Sequence, residues 1–183
     1  MSDVFVYTYV PREALKSIAK HGLLSGDVLY RNPKLLKLAR PEADARQEWI
    51  ERYEELEDDP EMNIVFKGPS VFFTKAYKPA LSPEHYINKW KLVAIRINIT
   101  NFINDHPDTK VLGVELIPFD EGMSDGELDI REHYLTLDEI EEYSSTSPAE
   151  LWQYYNGDPK FYAADVPHAI VIAPQIQSKY IEI

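Results

Sequence analysis

Residues 6–25 read VYTYVPREALKSIAKHGLLS, and this stretch decides the fold. The valines and aromatics of residues 4–9 are typical of a strand. Pro11 suits the first position of a helix, and apolar side chains recur at helical spacing through residues 14–19. Gly22 follows where a helix commonly ends on a glycine. The sequence therefore predicts a strand followed directly by a short helix.

Beyond this stretch, predicted helices and strands are mixed. Strands are predicted at 64–66, 71–74, 92–99, 111–117, 131–135, 168–173 and 179–183. Helices are predicted at 33–58 with a break near Pro41, at a start on Ser82, and after the capping boxes of residues 136–139 and 147–150. Most strands follow one another too closely for regular βαβ units. We therefore expect an α+β fold, with residues 1–183 forming one domain.

Length and composition exclude several classes of protein. A chain of 183 residues with 44% hydrophobic residues is long and apolar enough to bury a core, so it is not a disordered chain. It has no cysteine, which excludes disulfides, thiolate zinc sites and cysteine nucleophiles. Neither a signal peptide nor an apolar run of membrane-spanning length is found, so we expect a soluble cytoplasmic protein without membrane association.

Sequence motifs give little support for metal or hydrolase chemistry. The five histidines are too far apart along the chain to form a local metal cluster, and we expect no metal site. The nucleophile elbow G-x-S-x-G, the P-loop and the G-x-G-x-x-G fingerprint are all missing.

The net charge of −12 is unevenly distributed along the chain. Residues 42–61 and 115–150 together hold 22 of the 31 acidic residues and only 3 of the 19 basic ones. One interpretation is that these segments are solvated faces of an acidic protein. The other is that they flank a more basic face suited to a phosphate-bearing ligand. The acidic balance argues against non-specific binding of duplex DNA, but not against a nucleotide.

The opening stretch resembles ADP-ribosyltransferase-like domains, in particular DNA-modifying toxins and tRNA 2′-phosphotransferases. The likeness rests on a strand with a polar residue, a short helix reading Leu-x-x-Ile (Leu15 to Ile18), and then Gly22-Leu23. It covers about twenty residues. It implies two small, packed, mixed or antiparallel β-sheets with peripheral helices, which clasp NAD in a cleft. The segment at about 33–61 would then be a helical acidic insertion.

Three site positions follow from the resemblance. The family's first strand carries a histidine or arginine that binds the nicotinamide ribose, and Thr8 stands there in this chain, next to Tyr9. A middle strand carries an aromatic or small hydroxyl residue against the nicotinamide, and Phe73 or Thr74 matches it. A glutamate precedes a late strand.

Glu132 is our candidate for that glutamate, and Glu127 is the second. A carboxylate near the ribose would stabilise the positive charge that develops when the bond to nicotinamide breaks. Arg31 is a candidate for binding the pyrophosphate, as are Arg12, Lys34 and Arg40. The resemblance thus implies an NAD-dependent ADP-ribosyltransferase that uses NAD as substrate and modifies a nucleic acid or protein.

Each of these residues also has a structural interpretation. Tyr9 suits the surface of a sheet, and either Phe72 or Phe73 must face the core because neighbouring strand residues alternate. Glu132 is one of twelve acidic residues between positions 115 and 150. The alternative function is a non-enzymatic acidic interaction or inhibitor protein that docks a basic partner or mimics nucleic acid.

Overall fold

A seven-stranded antiparallel sheet forms the centre of the computed structural model, which describes residues 3–60, 63–73, 92–116, 128–145 and 168–183. For residues 114–116, 128–133 and 168 the description covers the backbone alone. The strands are β1 (Phe5–Pro11), β2 (Leu23–Leu24), β3 (Ser70–Phe72), β4 (Leu92–Asn98), β5 (Lys110–Leu116), β6 (Leu128–Tyr134), β7 (His168–Ile172), β8 (Gln175–Ile176) and β9 (Ile181–Glu182). The order in the large sheet is β6-β5-β7-β3-β1-β4-β9, and β2 pairs with β8 separately.

Helices account for much of the remaining described chain. They are α1 (Leu15–His21), α2 (Gly26–Tyr30), α3 (Pro33–Ala39), α4 (Ala43–Leu56), α5 (Ile99–Asp105) and α6 (Leu137–Ser145). Short 3₁₀ turns lie at Arg12–Ala14, Asn63–Phe66 and Ser178–Tyr180. The predicted α+β class is confirmed. The described strands do not divide into two small sheets as expected, because seven of the nine join one sheet.

Several local predictions are confirmed and others need correction. The strand predicted at residues 64–66 is wrong, because residues 63–66 form a 3₁₀ turn. The predicted strand at 179–183 is reduced to the two residues of β9. Helix α5 was not predicted. The helices expected at Ser82 and after residue 147 lie outside the described residues.

Strand β1 lies inside the sheet, between β3 and β4. It pairs with β4 along its whole length, from Phe5 opposite Asn98 to Pro11 opposite Leu92. Its even-numbered side chains, from Val4 to Val10, are buried, while its odd-numbered ones are half-buried. The alternation shows that the two faces of this strand have different surroundings.

The hydrophobic core packs against the sheet and includes side chains from α5 and α6. Phe73, Ile97, Phe102, Ile140 and Val171 are all almost completely buried in it. Helix α6 begins with the predicted capping box: the Thr136 backbone N–H donates to Glu139 Oε2 at 2.7 Å, and the Glu139 N–H donates back to Thr136 Oγ1 at 3.3 Å. Within the described ranges, no helix combines the length and apolarity needed to cross a bilayer.

Gly22 ends α1 as the sequence predicts. Its φ is +70°, and its N–H donates to the carbonyl of Ile18 at 2.7 Å. A Cβ at this position would lie 2.2 Å from the carbonyl oxygen of Ile176, in the strand that pairs with β2. Glycine is needed here both for the positive φ and for this close approach.

The predicted break near Pro41 separates α3 from α4. The Arg46 side chain holds it, since Nη1 donates to the carbonyl oxygens of Arg40 at 2.8 Å and Pro41 at 3.1 Å. The N–H of Arg40 donates to Leu36 at 2.8 Å and closes α3. This turn fixes the position of Arg40 relative to α4.

Candidate functional site

A cleft of about 850 Å³ opens beside β1 and β3, with helices α1 to α4 forming its other walls. Its volume lies within the range of about 300–1,000 Å³ that is common for small-molecule sites. Its lining includes Thr8, Tyr9, Arg40, Trp49 and Phe72. The cleft is therefore built by the opening stretch of the sequence together with the helical segment that follows it.

Aromatic rings form part of the cleft lining. Tyr9 and Phe72 meet edge to face with ring centroids 5.8 Å apart. Trp49 and Phe66 meet in the same way at 6.0 Å. Burial raises the pKa of Tyr9, so its hydroxyl stays protonated through the neutral range. These rings offer apolar surface for a planar group, and rings favour such offset or edge contacts.

Arg40 places a cation in the lining of the cleft. Its guanidinium carbon lies 5.2 Å from the centre of the Trp49 ring, and its Nε is buried without a hydrogen-bond partner in the described part of the chain. Burial lowers the pKa of Arg40 to about 10, which still leaves the side chain charged at neutral pH. The residue as a whole is half-buried, and a partly desolvated charge without a counter-charge carries a cost.

The remaining polar groups of the cleft are mixed in charge. Thr8 is 8% exposed and belongs to the lining, next to Tyr9 in the sequence. Two carboxylates, Glu42 and Glu48, and a second cation, Arg52, line the outer part on exposed residues. The cleft thus presents hydroxyl, cationic, anionic and aromatic groups to a ligand.

A network behind the cleft holds α2 against α4. Asp27 accepts from the Tyr53 hydroxyl at 2.9 Å and from Lys67 Nζ at 2.9 Å. The rings of Tyr30 and Tyr53 stack at 4.0 Å. Burial, and then the hydrogen bond to Asp27, raise the pKa of Tyr53 to about 12. These contacts fix α4, which carries Trp49, against α2.

Comparisons with protein-family models, with curated proteins and with solved structures give no match to the chain. Its chemistry must therefore be argued from the cleft. Among the described residues, no three histidine, aspartate or glutamate side chains are grouped so as to hold a metal ion.

The cleft brings together three of the predicted site residues, Thr8, Tyr9 and Arg40. Phe73 is not among them. It is 2% exposed and packs in the core against Tyr143, with ring centroids 5.3 Å apart. Its neighbour Phe72 lines the cleft instead. The alternation of a strand requires one phenylalanine to face each way, but it does not say which one faces the cleft.

Arg31 also lies outside the lining of the cleft. It is exposed at the C-terminal end of α2, whereas Arg40 lies in the lining. In the sequence, Arg31 and Arg40 are both basic residues that precede the acidic helix. Nothing in the local sequence indicates that the break at Pro41 half-buries Arg40 and leaves Arg31 exposed.

Glu132 lies on β6, at the outer edge of the sheet, and three strands separate β6 from β1. With strands spaced about 4.8 Å apart, the two backbones are about 19 Å from each other along the sheet. The structure therefore does not bring Glu132 together with Thr8. Glu127 and Thr74 lie outside the described residues. Sheet order is set by long-range pairing, which the local pattern around Glu132 does not reveal.

Proposed function

We propose that the cleft binds NAD and that the protein transfers ADP-ribose from NAD to a nucleic acid or protein. The observation that carries the proposal is the grouping of Thr8, Tyr9, Phe72 and Arg40 in one cleft of about 850 Å³ beside the first strand. The resemblance of residues 6–25 to ADP-ribosyltransferase-like domains implies a nicotinamide site at this strand. Phe72 takes the place that the sequence assigned to Phe73.

The order of the strands supports an ADP-ribosyltransferase-like fold. In the family, the site residues come from the first strand, a middle strand and the start of a late strand. Here β1, β3 and β7 are adjacent in the sheet, so residues of these strands lie within reach of one ligand. The late strand next to β3 is β7, which begins at His168, and not β6 with Glu132.

Four residues of the cleft have a defined part in the proposed reaction. Tyr9 and Phe72 hold the nicotinamide ring, the Thr8 hydroxyl donates to the adjoining ribose, and Arg40 binds the pyrophosphate. The glycosidic bond to nicotinamide then breaks, and nicotinamide leaves with the bonding electron pair. A nucleophile of the acceptor attacks the ribose carbon and loses its proton. A carboxylate stabilises the positive charge on the ribose in between.

Thermal unfolding with and without NAD tests the binding step. A ligand that binds only the folded protein stabilises it by about 2.7 kcal/mol when its concentration is a hundred times its Kd. We expect millimolar NAD or ADP-ribose to raise the Tm, with Phe72→Ala reducing the shift. Unchanged Tm values with NAD, ADP-ribose and nicotinamide would contradict the proposal.

The carboxylate is identified by a matched pair of variants. Glu132→Gln and Glu48→Gln each remove one charge and keep the size of the side chain. Loss of the group that stabilises the transition state lowers the rate about a hundred- to a thousandfold. NAD turnover, including slow hydrolysis, is the measurement. If only Glu132→Gln loses activity, the stabilising carboxylate is Glu132, as the family resemblance implies. If only Glu48→Gln loses activity, it is Glu48, a carboxylate of the cleft lining.

A specific observation also favours the second function, a non-enzymatic acidic interaction protein. Helix α4 exposes Asp44, Glu48, Glu51, Glu54 and Glu55, while Phe73 and Glu132 lie away from the cleft. On this proposal a basic protein docks on α4 through screened electrostatic attraction. We expect salt-sensitive binding to a basic partner. Glu51→Lys should weaken this binding, and Phe72→Ala should leave it unchanged.

A further inference from the structure

We infer that Arg40 recognises the diphosphate of the ligand, so that the cleft selects nucleotides that carry a diphosphate over nucleosides that lack one. The inference rests on the proposed function for the identity of the full ligand, NAD. It adds the class of nucleotide that this anchor selects and the class of molecule that it excludes.

The first argument is that Arg40 lacks the hydrogen-bond partners of Arg46, the other half-buried arginine of the described ranges. Arg46 donates to two backbone carbonyls, and the exposed Arg96 pairs with Glu182 at 3.1 Å. Arg40 forms no ion pair in the described ranges, and its buried Nε has no hydrogen-bond acceptor there. Glu42 and Glu48 line the same cleft but form no ion pair with it. An anion in the cleft would supply the missing counter-charge.

The second argument is that Arg40 is held in place. The Arg46 side chain fixes the carbonyl of Arg40, and the N–H of Arg40 closes α3 on Leu36 at 2.8 Å. The Trp49 ring supports one side of the guanidinium at 5.2 Å. A fixed guanidinium loses little conformational freedom on binding, and its planar fork matches two phosphate oxygens.

The third argument is the composition of the cleft around this charge. Tyr9 and Phe72 form an aromatic pair, and the space of about 850 Å³ accommodates more than a free anion. A ligand that satisfies both features has a planar ring and an anionic group. Adenine or nicotinamide with a diphosphate meets this description, and inorganic pyrophosphate meets the anionic half alone.

Binding measurements on the full chain test this inference with four probes: NAD, ADP, inorganic pyrophosphate and adenosine. We expect ADP and pyrophosphate to bind the wild type and to raise its Tm, and adenosine to give no shift. Arg40→Met should weaken ADP binding about tenfold to a hundredfold, which is the usual effect of losing hydrogen bonds from a charged donor. Arg31→Met is the matched control, because Arg31 is exposed and outside the cleft lining, and it should bind ADP like the wild type.

Stability in the absence of ligand separates an anchor from a structural residue. Replacing a half-buried, unpaired charge with an apolar side chain removes its desolvation cost, so the Tm of ligand-free Arg40→Met should equal or exceed that of the wild type. Arg40→Lys keeps the charge and loses the planar fork, and it should bind ADP more weakly than the wild type but more tightly than Arg40→Met. A marked fall in the Tm of Arg40→Met together with unchanged ADP affinity in Arg40→Lys would overturn the inference.

The probes also separate this inference from the proposed function. If NAD and ADP bind Arg40→Met as tightly as the wild type, Arg40 is not the anchor although NAD binding stands. If pyrophosphate and ADP bind through Arg40 and NAD does not bind, the anchor stands and the proposed function fails. If the wild type binds none of the four, both are wrong.

Discussion

Phe72 and Phe73 are neighbours in sequence and lie in opposite surroundings. Phe73 is 2% exposed, belongs to the core and packs against Tyr143. Phe72 is half-buried, lines the cleft and meets Tyr9 at its edge. The core side is closed by interlocking side chains, whereas the cleft side keeps open space and an unpaired cation. Stability and ligand binding should therefore depend on different members of this pair.

The largest predicted effect comes from shortening Phe73. Phe73→Ala leaves a cavity in the core and should lower the free energy of unfolding by about 3–5 kcal/mol. Phe72→Ala should cost about 1–2 kcal/mol, because that ring is only partly buried, and should weaken NAD binding. Denaturant midpoints of both variants are the measurement. Equal losses from the two variants would contradict the division between core and cleft.

A second prediction concerns Gly22, where the cleft wall meets β8. Gly22→Ala places a Cβ 2.2 Å from the carbonyl of Ile176 at a φ of +70°. The clash and the left-handed backbone together should cost about 2–4 kcal/mol. Thermal unfolding measures the loss. Ala19→Gly is the comparison, since Ala19 is an exposed residue of α1, and it should cost about 1 kcal/mol. If Gly22→Ala loses no more stability than Ala19→Gly, the close approach between Gly22 and Ile176 is not rigid.

Thr100 tests the pairing of polar groups on the core side. Its Oγ1 accepts from the N–H of Val4 at 2.9 Å, and the residue is 6% exposed. Thr100→Val keeps the shape and leaves that N–H unsatisfied, which should cost about 1–3 kcal/mol. Thr100→Ser retains the hydroxyl and should recover most of the hydrogen-bond contribution. Chemical denaturation of the two variants makes the comparison, and a Ser variant as unstable as the Val variant would assign the effect to packing.

The smallest predicted effect is a pH dependence at the rim of the core. Asp105 accepts from Lys179 at 2.8 Å and from the Tyr180 hydroxyl, and these hydrogen bonds lower the pKa of Asp105. The stabilisation is therefore present above the ordinary aspartate pKa of about 3.9, and it is lost as the pH falls through the lower pKa of the folded state. Asp105→Asn should flatten this part of the stability profile between about pH 2 and 5. A profile identical to that of the wild type would assign acid sensitivity to other carboxylates.

Local features of the fold could be predicted from the sequence. The first strand and helix, the glycine at the end of α1, the break at Pro41 and the capping box at Thr136 each depend on residues close together in the chain. Helix α5 was missed although Asn98 provides its N-cap, with Oδ1 accepting from the Asn101 N–H at 2.9 Å. The β-branched residues before Asn98 favour a strand, so the N-cap is not apparent from the sequence pattern.

Long-range features were beyond local reasoning. The pattern shows that Phe72 and Phe73 point in opposite directions, but the choice of face is made by the packing of α6 and the cleft helices. The distance between Glu132 and Thr8 follows from the order of seven strands, of which β5, β7 and β3 lie between them. Arg40 differs from Arg31 because of a turn that Arg46 holds. Each of these facts depends on contacts between distant parts of the chain.

The central place of β1 has a consequence for how the chain folds. This strand precedes both its partners, and the hydrogen bond from Val4 to Thr100 joins residues 96 positions apart. During synthesis, β1 has no neighbour to pair with until β3 and then β4 have been made. The helices α1 to α4 depend mostly on nearby residues and can form sooner. Closing such long loops is slow, so the assembly of β1 into the sheet should limit the folding rate of the domain.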